Sequence, residues 1–157
     1  IAKRMNSIFI DRNNPKEAID ILNKQIKSTD NIFIFPEGTL FYKPMIEKSN
    51  DICKKLDIKK FKNVLCPKIN GYNCINKILK PKYITDITLY YIWSTKSNFI
   101  LEKSKIPLTI KQLIKNPPCK IIIIIQEKLA NNIVNIFREK DNEITDFIHK
   151  YNLSNKN

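Results

Sequence analysis

The residues best placed for chemistry sit in one short stretch, Ile32-Phe33-Ile34-Phe35-Pro36-Glu37-Gly38-Thr39. An apolar, strand-like run stops at a proline, which cannot continue a sheet ladder, and delivers a carboxylate, a glycine and a hydroxyl at its end. Glycine lets backbone approach a bound group closely. An acid at a strand end commonly does no more than accept hydrogen bonds from neighbouring amides. The compound Pro-Glu-Gly-Thr pattern behind Ile-Phe-Ile-Phe is much rarer by chance than a lone acid, and it favours a functional site. Thr39 either supports the turn through its hydroxyl or contacts a substrate.

Two further blocks share this strand-end character. Arg12 follows Ser7-Ile8-Phe9-Ile10-Asp11 and precedes Asn13-Asn14-Pro15, which places a guanidinium at a strand-to-helix junction. Its planar fork binds phosphate through two bonds, and a nearby helix start adds partial positive charge. Alone, in so basic a chain, it would read as a solvated surface arginine; its partnership with residues 35–39 changes that. Val64-Leu65-Cys66-Pro67-Lys68, with Gly71 shortly after, is the third block, a short apolar run halted by proline.

Composition bounds what these blocks serve. The chain has 157 residues, enough for one domain of ordinary size, and its 43% apolar content suffices for a core. A net charge of +13, from 28 Lys and Arg against 15 Asp and Glu, permits contact with phosphate, anionic lipid or nucleic acid without choosing among them. The chain is saturated with Ile, Lys and Asn, a bias that nucleotide composition alone produces, so the basicity is discounted. Cys53, Cys66, Cys74 and Cys119 form no C-x-x-C pair and the one histidine, His149, is distant, which argues against a metal site. Scattered cysteines in apolar context read as buried free thiols in a reducing compartment. No secretory segment opens the chain, and the longest aliphatic run, residues 121–125, is far too short to span a bilayer.

Strand-like and helix-like segments alternate, which predicts an α/β layered domain. Pro15 suits a first helical turn, and Ile19, Leu22 and Ile26 give an apolar face to a helix over 15–28. A strand over 31–35, a helix over 45–56 and a strand over 64–66 follow, with Gly71 opening the next connection. Residues 84–93 alternate, Ile87, Leu89, Tyr91 and Trp93 on one side and Asp86, Thr88 and Tyr90 on the other. Residues 94–107 read as loop and 108–115 as a short helix; Pro117-Pro118 breaks the chain before a central buried strand over 120–126. Ile133, Phe137, Ile144, Phe147 and Tyr151 line one face of a final helix, interrupted at Lys140. That helix packs on the sheet; a membrane-surface role is weakened by Glu139, Asp141, Glu143 and Asp146.

In this order, the blocks resemble the C-terminal part of the phospholipid/glycerol acyltransferase family, and within it the eukaryotic 1-acylglycerol-3-phosphate and lysocardiolipin acyltransferase branch. Ile8-Phe9-Ile10-Asp11-Arg12 resembles the second family motif, Phe35-Pro36-Glu37-Gly38-Thr39 the third and Val64-Leu65-Cys66-Pro67-Lys68 the fourth. Asp86-Ile87-Thr88 is similar to a later D-I/V-T strand, and Phe137-Arg138-Glu139-Lys140-Asp141 to a late W/F-x-x-K-D helix. The F-P-E-G-T block is highly specific, the fourth motif weak by itself.

The resemblance implies a mainly parallel central sheet flanked by helices, one domain over 1–157, truncated at its N-terminal side. It implies an acyl-CoA-dependent O-acyltransferase acting on a lysophospholipid or glycerol phosphate, with Arg12, Glu37, Gly38 and Thr39 in the acceptor site and Pro67 bordering the acyl or acceptor pocket. Acyl-CoA is a co-substrate, and neither cofactor nor metal is expected. The implied location is a membrane surface, cytoplasmic face, with the endoplasmic reticulum as a candidate. Two departures bear on this. Leu40 stands where the third motif often carries Arg, and the first motif, the H-x-x-x-x-D that supplies the general base, occurs nowhere in the chain. His149 lies in the final helix, lacks the Asp, and reads as a surface residue. General-base help is worth roughly a hundred- to ten-thousand-fold, so residues 1–157 alone are expected to be nearly inert. The start at Ile1, close to a strand, suggests further sequence upstream. The alternatives are a noncatalytic relative and a basic nucleic-acid-binding domain; dispersed charge and the lack of a recognition motif count against the latter.

Overall fold

The computed structural model describes residues 8, 14–92, 114–115 and 120–154, the side chains of 15 and 151–154 excepted. Helix α1, Pro15–Gln25, begins with Pro15 in its first turn, and the Asn14 side chain accepts from the Glu17 N–H at 3.3 Å while donating to the Glu17 carboxylate at 2.9 Å. That reciprocal cap satisfies a helix-start donor. Ala18, Leu22 and Ile26 are buried, whereas Ile19, expected on the same face, is 42% exposed. The helix ends at Gln25, short of the expected residue 28, because residues 27–30 close their own turn. Asp30 N–H donates to the Lys27 carbonyl at 3.0 Å and the Asp30 carboxylate accepts from Lys27 N–H at 2.9 Å.

Residues 31–35 alternate outward and inward but pair with no strand among the described residues. Helix α2, Lys43–Lys55, carries Pro44 in its first turn and buries Ser49 and Cys53. The expected strand over 64–66 is instead a loop that pairs with no strand among the described residues and leads into α3, Ile69–Leu79. Gly71 lies inside α3 rather than opening a connection.

Strands β1, Tyr83–Ile92, and β2, Lys120–Leu129, form a two-stranded antiparallel sheet, from Tyr83 opposite Leu129 to Ile92 opposite Lys120. The chain therefore combines α and β structure, but the described sheet is antiparallel and small. The strand expected over 120–126 is half-buried rather than central: Ile121, Ile123 and Ile125 face outward at 53–65% exposure. Residues 7–10, strand-like in the sequence, fall outside the described residues except for Ile8. The expected segments over 94–107 and 108–115 also fall outside them, apart from 114–115.

Helix α4, Ile133–Ser154, packs on the inner sheet face. Ile133, Ile136, Phe137 and Ile144 are buried in a core with Cys53, Phe61, Val64, Cys66, Tyr72 and Tyr90, and Phe147 stacks on Tyr90 at 3.9 Å. The helix runs unbroken through Lys140, because that residue and the buried Asp141 find polar partners on the inner side. No described helix is long and apolar enough to cross a membrane.

Candidate functional site

Pro36 and Glu37 occupy the corners of a tight turn closed by the Gly38 N–H donating to the Phe35 carbonyl at 2.9 Å. Proline at the first corner suits such a turn, and Gly38 follows at φ +67°, a conformation that L side chains adopt only with strain. The 64–68 loop lies directly against it. Lys68 N–H donates to the Pro36 carbonyl at 2.7 Å, and Glu37 accepts from the backbone N–H of Leu65. A Cβ on Gly38 would stand 3.5 and 3.6 Å from Cγ and Cε of Lys68, so the Lys68 stem lies across the glycine. The third and fourth blocks of the sequence thus form one structure.

Burial pushes the Glu37 carboxyl up to about 7, against the lowering effects of the Leu65 N–H and of the Lys140 charge. Near neutrality this group therefore divides between an acid that donates a hydrogen bond and a carboxylate that accepts one. Beside it are the exposed Thr39 and Lys68. Pro67 is buried and joins Cys66 to Lys68. Cys66 N–H donates to the Ser49 hydroxyl at 2.7 Å, which ties the loop to α2. Cys53 and Cys66 are buried free thiols, and burial followed by the neighbouring Cys53 pushes Cys66 up to about 11, so it is inert as a nucleophile. Arg12 falls outside the described residues, and its expected place beside Glu37 is therefore not described. His149 is exposed on α4.

Helix α4 holds the loop in place through the residues of the late block. Asp141, 4% exposed, accepts from the Lys62 N–H at 3.0 Å and from the Asn63 N–H at 2.6 Å. Arg138 donates to the carbonyls of Lys59 and Lys60 and sits 4.1 Å over the Phe61 ring. Phe137 meets Phe61 edge to face at 6.5 Å. Lys140 turns to β1, donating to Asp86 at 2.6 Å and to the Ile87 carbonyl at 3.0 Å. Lys68, Lys140 and Asp141 had no assigned role in the sequence. The signal for the last two was the polar interruption of an apolar helix stripe, which marks charges turned inward.

A polar groove of about 460 Å³ between β2 and α4 includes Lys128, Asn131 and Glu143 in its wall, but none of the turn residues. Its lysine is already paired with Glu143 at 3.0 Å, so it offers no unspent cation to a ligand. Among the described residues no cluster of His, Cys, Asp and Glu is arranged to hold a metal.

No protein-family model, curated protein or solved structure matches the chain. The functional reading accordingly stands on the residues and on the junction they build.

Proposed function

We propose that this chain carries the acceptor-binding part of an acyl-CoA-dependent glycerolipid acyltransferase, acting on a lysophospholipid or glycerol phosphate at a membrane surface. The observation that carries this reading is the junction of two blocks distant in sequence, made by Lys68 N–H on Pro36 and Leu65 N–H on Glu37. It offers an ionisable carboxyl and an exposed ammonium whose stem lies across the glycine of the turn. Arg12 supplies the two-pronged phosphate contact in this reading. In this reading residues 31–35 are a strand of a parallel sheet, and a strand-helix-strand unit brings its end and Arg12 to one edge. The inward packing of Ile34 on the core fits a strand in that position.

In the reaction, the acceptor hydroxyl oxygen attacks the thioester carbonyl carbon and a general base takes the hydroxyl proton. The carbon–sulfur bond breaks with release of CoA thiolate, leaving an ester. Residues 1–157 hold no H-x-x-x-x-D to provide that base, and this absence favours a second reading, a noncatalytic relative that binds the acceptor only.

Acyl transfer to lysophosphatidate, assayed for residues 1–157 and for the polypeptide of the whole reading frame, separates the two. Transfer by the whole frame and none by 1–157 supports the enzyme. In that enzyme, Arg12→Ala lowers acceptor kcat/KM by about 1.5–3 kcal/mol in transition-state terms, and Arg12→Lys recovers it incompletely. Unchanged kinetics in Arg12→Ala would remove the arginine from the site, and robust turnover by 1–157 would refute the assignment of the missing base.

A further inference from the structure

The extended segment that leads into the Glu37 turn exposes its bulkiest side chains. Ile34 packs against the core, so by the period of an extended chain Phe33 and Phe35 fall on the opposite side, where they are 69% and 77% exposed. Their rings meet edge to face with centroids 4.9 Å apart. Leu40, directly after Thr39, is 56% exposed. An apolar side chain standing singly on a surface needs no explanation. Two phenylalanines in mutual contact before a tight turn, with a leucine directly after it, are the kind of apolar surface that marks a binding site.

The same turn carries the charge of the junction. The Phe35 carbonyl accepts from the Gly38 N–H at 2.9 Å, and the next carbonyl, that of Pro36, accepts from the Lys68 N–H at 2.7 Å. The Lys68 stem lies within 3.6 Å of where a Gly38 Cβ would stand, so an exposed ammonium is held across the turn that the aromatic pair enters. A cation and an apolar surface joined through one turn match a ligand that carries phosphate and hydrocarbon on one short backbone. We propose that Phe33, Phe35 and Leu40 are specificity-determining residues that take the acyl chain of the acceptor, so that the junction selects a single-chain phosphate amphiphile, a lysophosphatidate, over free glycerol phosphate. This rests on the reading of the junction as a phosphate-bearing acceptor site and adds which acceptor it selects. A hydrocarbon chain laid on the rings removes apolar surface of both from water, a gain that grows with each methylene covered, whereas glycerol phosphate leaves the rings exposed. A second copy of the chain is the poorer occupant, because a net charge of +13 repels a like molecule and attracts an anion.

The test is the binding of soluble ligands to residues 1–157, followed by the amide resonances of Gly38, Leu65 and Lys68. The ligands are sn-glycerol 3-phosphate, octanoyl lysophosphatidate below its micelle concentration, and monooctanoylglycerol, which has the chain without the phosphate. Octanoyl lysophosphatidate is expected to bind at least about tenfold more tightly than sn-glycerol 3-phosphate, as coverage of part of its chain requires. In Phe33→Ser/Phe35→Ser that difference is expected to disappear while the affinity for sn-glycerol 3-phosphate stays unchanged, and Leu40→Ser should reduce it by a smaller factor. Should the double variant lose its folded amide dispersion, Leu40→Ser decides, and an undiminished gain from the chain in that variant overturns the proposal. Equal wild-type affinity for the two phosphates, or a gain that survives in the double variant, overturns it and leaves the phosphate site standing. Monooctanoylglycerol binding as tightly as octanoyl lysophosphatidate also overturns it, because the rings are then a general apolar surface. If neither phosphate ligand shifts the junction amides, the acceptor-site reading itself falls, and the proposal with it.

Discussion

The two faces of the β1–β2 sheet differ in an unexpected way: charges lie among the apolar residues of the buried face, while the exposed face is rich in isoleucine. On the inner face, Asp86 and Lys128 sit among Ile84, Tyr90, Ile122 and Ile124 and are covered by α4; on the outer face, Ile87, Leu89, Ile121, Ile123 and Ile125 are 39–65% exposed. Both faces obey the same period of two, so alternation alone could not tell which of them the helix would choose. The choice follows from partners. Inner charges meet Lys140 and Glu143 of α4, and the same helix reaches past the sheet to hold the 59–63 loop, which in turn sets the 64–68 loop against the Glu37 turn. Polar residues on a buried face here specify position, a function that apolar contacts, being non-directional, cannot perform.

If that contrast is right, disturbing the polar contacts of α4 costs most. Asp141→Ala leaves the Lys62 and Asn63 N–H groups without their acceptor and is expected to cost about 3–5 kcal/mol. Asp141→Asn, which keeps one acceptor oxygen, should recover about half. Urea unfolding reads both, and a loss below about 1 kcal/mol in the alanine variant would mean that water replaces the carboxylate at no cost.

Next in size is a pH-dependent effect at the turn. The folded carboxyl of Glu37 stands at about 7, above its ordinary 4.5, so the folded state holds a proton that the unfolded chain has released. Its contribution is fully present below pH 4.5 and is lost as pH rises through 7. Glu37→Gln removes the dependence. Relative to wild type, the variant should therefore gain stability between pH 5 and 8, by up to about 3 kcal/mol. Parallel stability curves for the two proteins across that range would show that Glu37 is solvated and titrates normally.

The smallest effect belongs on the outer face. Ile123→Thr, at 58% exposure in a strand that welcomes threonine, should cost under about 1 kcal/mol. A cost above about 1.5 kcal/mol, measured by the same urea unfolding, would show that this face is covered in solution and would remove the asymmetry between the faces.

The final helix, the alternating strand and the first helix, though not its end at Gln25, were legible from periodicity and proline placement, and a helix over 45–56 was expected where α2 lies. Sheet direction was not, since it depends on which strands pair, and residues 31–35 and 64–66, apolar runs beside a proline, pair with no strand among the described residues. At the site, Glu37, Gly38 and Pro67 stood out by type and spacing. The structure brings Glu37 and Gly38 against the 65–68 loop, whereas Thr39 is described only as exposed beside them and Arg12 lies outside the described residues. Lys68 and Lys140 were hidden among 28 basic residues, where only packing distinguishes a placed ammonium from a solvated one.

The central claim is that the junction of the Pro36-Glu37-Gly38 turn with the 65–68 loop binds a phosphate-bearing acceptor. Its most direct test is an amide NMR titration of the chain with sn-glycerol 3-phosphate at pH 6.5. Saturable shifts centred on the amides of Gly38, Leu65 and Lys68, abolished by Lys68→Ala, are the predicted result. Shifts confined to other lysine-rich surfaces, or shifts at the junction that persist unchanged in Lys68→Ala, would contradict it.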